Sequence, residues 1–174
     1  MYPLEARLSV ADPSVRARRD NHWLRRQLDH IWSTWFADVD RVNPVSIRFV
    51  RPWRTRLAVI YLTNNDSESF IGVNGLLSDQ QVPYSICLVA IAHELVHYCH
   101  GFGSRHPQRY KHPHRGNVVA RELARRGLAR QLDFYEQWTT NRWFDLQDQL
   151  RVAHTVGIDS FGQEPRAKAA ADIN

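Results

Sequence analysis

"IAHELVHYCHGFGSRHPQRYKHPHRG", residues Ile91–Gly116, holds six of the chain's nine histidines around a single glutamate. Within it, His93-Glu94-Leu95-Val96-His97 has the H-E-x-x-H spacing. On a helix, positions i and i+4 lie one above the other on the same face, so both imidazoles can bind one ion. Glu94 projects beside them and can reach a water on that ion without being a ligand. A zinc-bound water has its pKa lowered to about 7, so a neighbouring carboxylate can take its proton and direct it at a carbonyl.

The flanks favour a helix. Residues from about Pro83 to Tyr98 carry Ile86, Val89, Ala90, Leu95 and Val96. The apolar "YSICLVAIA" would bury the face opposite the histidines. Pro83 suits the first turn, and Gly101 and Gly103 end the helix. "SRHPQRYKHPH" has two prolines and no period, so it reads as loop. "GNVVARELARRG" reads as a compact helix, with Asn117 as its cap and Gly127 as its stop. The competing reading of H-E-x-x-H is two surface histidines on an amphipathic helix.

A catalytic zinc takes a third protein ligand and keeps a fourth position open. His106 and His112 lie in the loop, His114 precedes Arg115-Gly116, and Glu122 lies on the following helix. All four are candidates. A metzincin would have Gly at position 100 and His at 103, and this chain has His100 and Gly103. His100, at i+7 from His93, shares its face, but three ligands on one straight helix do not converge. It is expected to back up a ligand or to be exposed.

Working outward, Leu24, Leu28, Ile31, Trp32, Trp35 and Phe36 recur at three- and four-residue steps, predicting a helix over about Pro13–Val39. "RVNP" breaks it. "VSIRFV", "LAVIYLT" and "FIGV" are β-rich, with "NNDSES" a turn between the last two, so a small antiparallel sheet of about three strands is expected. "FYEQWTTNRWFDLQDQLRVAH" predicts one or two further amphipathic helices built on Phe134, Trp138, Trp143, Phe144, Leu146 and Leu150. Aromatics at helical spacing usually pack, so Trp32, Trp35, Trp138 and Trp143 are assigned to the core. His22, His30 and His154 are isolated and read as ordinary surface residues. The fold class is α+β, with one domain over 1–162 and a frayed tail over 163–174.

Size and composition agree. The chain has 174 residues and is 43% hydrophobic, with six Trp, six Tyr and seven Phe, enough for a core of its own. Cys87 and Cys99 are the only cysteines and lack ribbon or framework spacing, which points to two free thiols. No apolar stretch at the N-terminus resembles a signal, and none approaches a bilayer-spanning length. The expectation is a soluble, cytoplasmic protein. The net charge of +5 is clustered in "RARRD", "LRRQ", "RFVRPWRTR", "RYKHPHR" and "ARRGLAR". Such a surface attracts polyanions or simply keeps the protein soluble.

Over roughly Val45–Leu128 the chain resembles the SprT-like (Spartan-type) zinc metallopeptidases, a minigluzincin-like group. The resemblance consists of a short sheet, an apolar helix bearing "HELVH", a loop with a third histidine near a glycine, and a short helix ending in "RRGL". It implies a zincin-like fold and Zn2+ held by His93, His97 and His114, with Glu94 as general base. It implies proteolysis of a protein or peptide substrate, often one bound to DNA, and hence a nucleoid-associated or nuclear setting as an alternative to the open cytoplasm. Tyr110 and Arg115 are chemically able to stabilise an oxyanion, though either is more often a plain surface residue. The rival reading is a nucleic-acid-binding module with a structural or vestigial metal site, its basic clusters working beside Trp23, Trp53 and Tyr110. A third is a different hydrolase using the same metal chemistry.

Overall fold

A computed structural model describes residues 18–63 and 65–155, with side chains through residue 150. The described residues form four α-helices and a three-stranded sheet: α1 (Asn21–Trp35), β1 (Val45–Val50), β2 (Ala58–Leu62), β3 (Ser69–Asn74), α2 (Tyr84–Cys99), α3 (Val118–Arg125) and α4 (Ala129–Thr155). The class is mixed α+β.

Helix α1 starts where its cap dictates. The Asp20 side chain accepts a 2.7 Å hydrogen bond from the Trp23 N–H, satisfying one of the first turn's open donors. Arg18 lies in a bridge to Asp79, so the helix does not reach back to it. The expected start at Pro13 lies outside the described residues. The helix ends at Trp35, short of Val39, and buries Leu24, Leu28, Ile31 and Trp32.

The sheet is mixed, not antiparallel throughout. Its order is β1-β3-β2, with β1 parallel to β3 and β2 antiparallel to it. The connection over residues 51–57 carries the chain from one side of β3's position to the other. The turn before Ser69 then feeds β3 between the two earlier strands. The Asn74 amide Nδ2 fixes this connector by donating to the Trp53 and Arg56 carbonyls, both at 2.8 Å. Gln147 and Trp143 of α4 donate to the Trp53 and Arg54 carbonyls from the other side. Every residue of β3 is buried, as a central strand requires.

Helix α2 is the centre of the molecule. It packs against α1, α3, α4 and the sheet. From Ile86 to Cys99 only His93 escapes full burial. A helix apolar nearly all round is a core helix, whereas the sequence suggested one buried face. It ends in a Schellman motif: the Gly101 N–H bonds to the Tyr98 carbonyl and the Phe102 N–H to the His97 carbonyl. Gly101 adopts φ 81°, a left-handed conformation glycine tolerates without a Cβ clash. The same pair of bonds closes α3 at Gly127, as expected. Asn117, the expected cap of α3, makes no capping hydrogen bond through its side chain.

Helix α4 is one continuous element. Trp143 and Leu150 are buried and Trp138 and Leu146 pack on the core, but Phe134 and Phe144 are exposed. The inward position in the first turns is Tyr135, next to Phe134. Trp32 is buried and Trp35 packs against the core, as assigned. Both thiols are free and buried. No helix among the described residues is long and apolar enough to cross a membrane.

Candidate metal centre

His93 and His97 stand one turn apart on the last half of α2, as their spacing demands. Their ring centroids are 4.8 Å apart. The loop after α2 leaves the Schellman turn, and the Arg109 N–H bonds back to the His100 carbonyl at 2.9 Å. It then returns to bring His114 over the pair, with centroids 5.6 Å from His93 and 4.7 Å from His97. One ligand atom from each of the three rings lies within 4.8 Å of the other two. Tetrahedral ligation at 2.0–2.1 Å sets nitrogens about 3.4 Å apart, so short side-chain rotations close the set on one ion. His97 is buried, His93 half-buried and His114 exposed, so the centre lies at the boundary of core and solvent.

The other candidates do not join. The His106 ring nitrogen Nε2 lies 2.9 Å from the Asp40 carbonyl, and its ring packs edge-on to Tyr98. His112 is exposed and belongs to no ligand group among the described residues. Glu122 is held by two arginines: Arg125 donates from Nη2 at 2.6 Å and Nε at 3.0 Å, and Arg126 from Nε at 2.8 Å. His100 is buried, not exposed, and groups instead with Cys99 and Glu122.

Electrostatics prepare His93 and His97 as neutral donors. Burial first, then the charge of His114, pushes His93 down to about 4. Burial, then His93, His114 and His100, pushes His97 down to about 3. Neutral imidazole is the form that binds metal. The His97 Nδ1 is buried with no hydrogen-bond partner among the described residues. An unpaired buried polar atom costs about 1–3 kcal/mol, which a cation bound by the ring offsets. The residues present fit a divalent cation.

Glu94 is buried beside the two rings. Burial raises its carboxyl to about 8, against a hydrogen bond from the Ile60 N–H and the nearby Arg56 charge. A divalent cation alongside favours the ionised form and pulls this value down. Phe102 stands edge-on to His97 at 6.2 Å, held by its N–H bond to the His97 carbonyl. Gly103 then lies against the Ile60 backbone: a Cβ on it would sit 3.0 Å from the Ile60 carbonyl carbon.

No family model, curated protein or solved structure matches this chain. The centre therefore rests on its own geometry.

Two features went unread in the sequence. One is the Cys99–His100–Glu122 group, a second set of ligand-type atoms within 4.8 Å of one another. The other is Tyr135, whose phenol is raised by burial and then by the charge of Glu94. The sequence reading chose Phe134 as the core residue of this stretch and passed over Tyr135, its neighbour, which is the one that packs inward. Tyr110, named as an oxyanion candidate, is exposed and packs edge-on to His100. Arg115 is exposed next to His114.

Proposed function

We propose that the chain is a zinc-dependent metallopeptidase of zincin-like fold, similar to the SprT-like enzymes. The observation that carries this reading is His114. It comes from the far end of a loop to meet the H-E-x-x-H pair, while Glu94 stays outside the ligand set. A purely structural ion has no need of a buried, non-ligating carboxylate at that place.

His93, His97 and His114 would hold Zn2+, chosen over other divalent ions because three imidazoles with an open position suit it. When bound, the metal supplies Lewis-acid polarisation of the scissile carbonyl and a lowered pKa for water. Glu94 takes the proton from the attacking water and returns it to the leaving amine. The backbone of Ile60 favours the ionised form of the Glu94 carboxyl. Phe102 offers an apolar wall beside His97 for a substrate side chain. Exposure of His114 leaves the centre open to a protein or peptide substrate.

Purified protein should carry one zinc per chain. Glu94→Gln should keep that zinc and lose roughly 10²–10⁴-fold in cleavage of denatured casein. Protein without stoichiometric zinc, or a variant that cleaves undiminished, ends this reading.

One observation favours a polyanion partner, whether DNA beside the substrate or as the main ligand. A cleft of about 350 Å³ is lined by Arg18, Arg19, Asp20, Trp23, Arg26 and Gln80. Arg19 is committed to the fold, donating to the Leu77, Asp79 and Val82 carbonyls. DNA binding that weakens with salt, ignores chelator and accompanies no proteolysis would favour the binding module over the enzyme.

A further inference from the structure

His114 is the one histidine of the centre that α2 does not supply, and it must be aimed at the His93–His97 pair from outside that helix. The first half of its loop is tied down. Ser104 Oγ donates to the Tyr98 carbonyl at 2.7 Å, the Arg105 N–H to Asn43 Oδ1 at 3.1 Å, and Tyr110 packs edge-on to His100. Beyond Tyr110 the ties stop. Among the described residues no side chain from 111 to 117 is hydrogen-bonded or ion-paired. His114, Arg115, Gly116 and Asn117 are all exposed, and the ring contacts of His114 are with His93 and His97.

By Val118 the chain is in the core, where Val118 and Val119 are both buried in the first turn of α3. Between ligand and core the backbone makes a paired left-handed turn: Gly116 has φ 71°, ψ 27° and Asn117 φ 54°, ψ 32°. A capping residue is normally extended, so that its side chain reaches the first N–H groups of the helix. Asn117 is not extended and makes no capping bond. After glycine, asparagine is among the residues that best tolerate the left-handed region. Gly-Asn here serves the turn and not the cap. Gly127, at the other end of α3, is the natural comparison. It is left-handed too, at φ 87°, and at both glycines a Cβ would meet nothing within 4 Å. Gly127 is locked by the fold, since its N–H and that of the buried Leu128 bond to the Ala124 and Leu123 carbonyls. The turn at 116–117 has no such lock, and what it orients is His114.

We infer that Gly116 and Asn117 are positioning residues of the metal centre: their left-handed turn aims the His114 ring at the His93–His97 pair, and ligation through His114 is what fixes the turn. This deepens the zinc reading and rests on it. Helical pitch forms the buried pair in advance, whereas the third ligand closes from an exposed, strained turn. The strain at 116–117 is then taken up on metal binding and appears in zinc affinity. At Gly127 the same strain is part of the fold and appears in global stability.

Gly116→Ala adds a methyl that meets no neighbour, so it acts through the backbone alone. Zinc affinity, read by competition with a chromophoric chelator, should fall roughly tenfold, the effect of forcing one non-glycine residue into this region. The melting temperature of the zinc-free chain should change little. Gly127→Ala should do the reverse, lowering the melting temperature and leaving zinc affinity at the wild-type value. Asn117→Ala should weaken zinc binding, while Asn117→Gly, which keeps the turn without the side chain, should bind at least as tightly as wild type. Wild-type affinity in Gly116→Ala overturns the inference. So does an equal loss of affinity in Gly127→Ala, or a loss in Asn117→Gly, which would assign the work to the side chain. A wild-type chain that takes up no zinc ends the metal reading itself. If zinc binds and is lost in His114→Ala but not in Gly116→Ala, only the role of the turn fails.

Discussion

The two ligand-type clusters share the last turns of α2, yet they are opposites in charge. At His93, His97 and His114 three imidazoles converge, and no guanidinium is bonded to any of them among the described residues. At Cys99, His100 and Glu122 the donors also converge, but the only carboxylate is already neutralised by Arg125 and Arg126. The Cys99 thiol is pushed up to about 11 by burial, so it holds its proton. A cation entering there would meet two fixed positive groups and a neutral thiol. Convergence of donor atoms is therefore not enough to define a metal centre; the charges around the donors decide. The second cluster reads as a tie between helices: Arg126 also donates to Asp38 and to the Trp35 carbonyl, joining the end of α3 to the end of α1.

The sharpest way to break this contrast is metal counting. His97→Ala and His114→Ala should reduce bound zinc from one per chain to none, measured by elemental analysis after dialysis. Cys99→Ala and Glu122→Gln should leave it unchanged. Zinc lost from the second pair, or two ions per wild-type chain, would reverse the assignment.

Stability should show the opposite pattern. The Arg126 side chain is 6% exposed and that of Glu122 13%, so removing the carboxylate leaves the buried Arg126 Nε without its acceptor while the guanidinium keeps Asp38 as its counter-charge. Glu122→Ala should cost about 1–3 kcal/mol in chemical denaturation, the range for leaving one buried donor without its acceptor. The arginines, Arg125 first, hold the Glu122 pKa below its ordinary 4.5. A depressed carboxyl contributes stability that is present above 4.5 and is lost as pH falls through the lower folded value. Wild-type protein should thus lose stability below about pH 4.5, and Glu122→Gln should flatten that part of the curve. An unchanged acid limb in the variant would remove Glu122 from the tie.

A smaller effect is expected from the loop that runs from one cluster to the other. At Gly101 a Cβ would lie 2.6 Å from the Pro107 carbonyl oxygen and from the Gln108 Cα, in a left-handed conformation besides. Gly101→Ala should cost about 2 kcal/mol and loosen zinc binding, because the displaced loop carries His114. Full affinity in this variant would show that His114 is positioned from the α3 side instead.

Much of the centre was legible because part of it is local. The placement of His93 and His97 on one face follows from helical pitch alone, and Glu94 follows from them. The ends of α2 and α3 were legible for the same reason, since Gly101 and Gly127 close the backbone within a few residues. The parallel pairing of β1 with β3 was not. Alternating burial marks a strand but carries no information on its neighbours, and the chain placed β3 between two strands that precede it. Phe134 and Tyr135 illustrate a finer limit: adjacent aromatics on α4 differ by one step of rotation, and only the packing of α4 on α2 and α3 chooses which turns inward.

By itself the sequence determined the paired imidazoles, their carboxylate and the helix that carries them, because backbone periodicity places near neighbours without help from the rest of the chain. Tertiary structure alone decided that His114 joins them, that Glu122 is taken by arginines, and that Tyr135, not Phe134, turns toward the core. Those residues are distant along the chain, and their meeting depends on loop path and packing, which no spacing rule encodes.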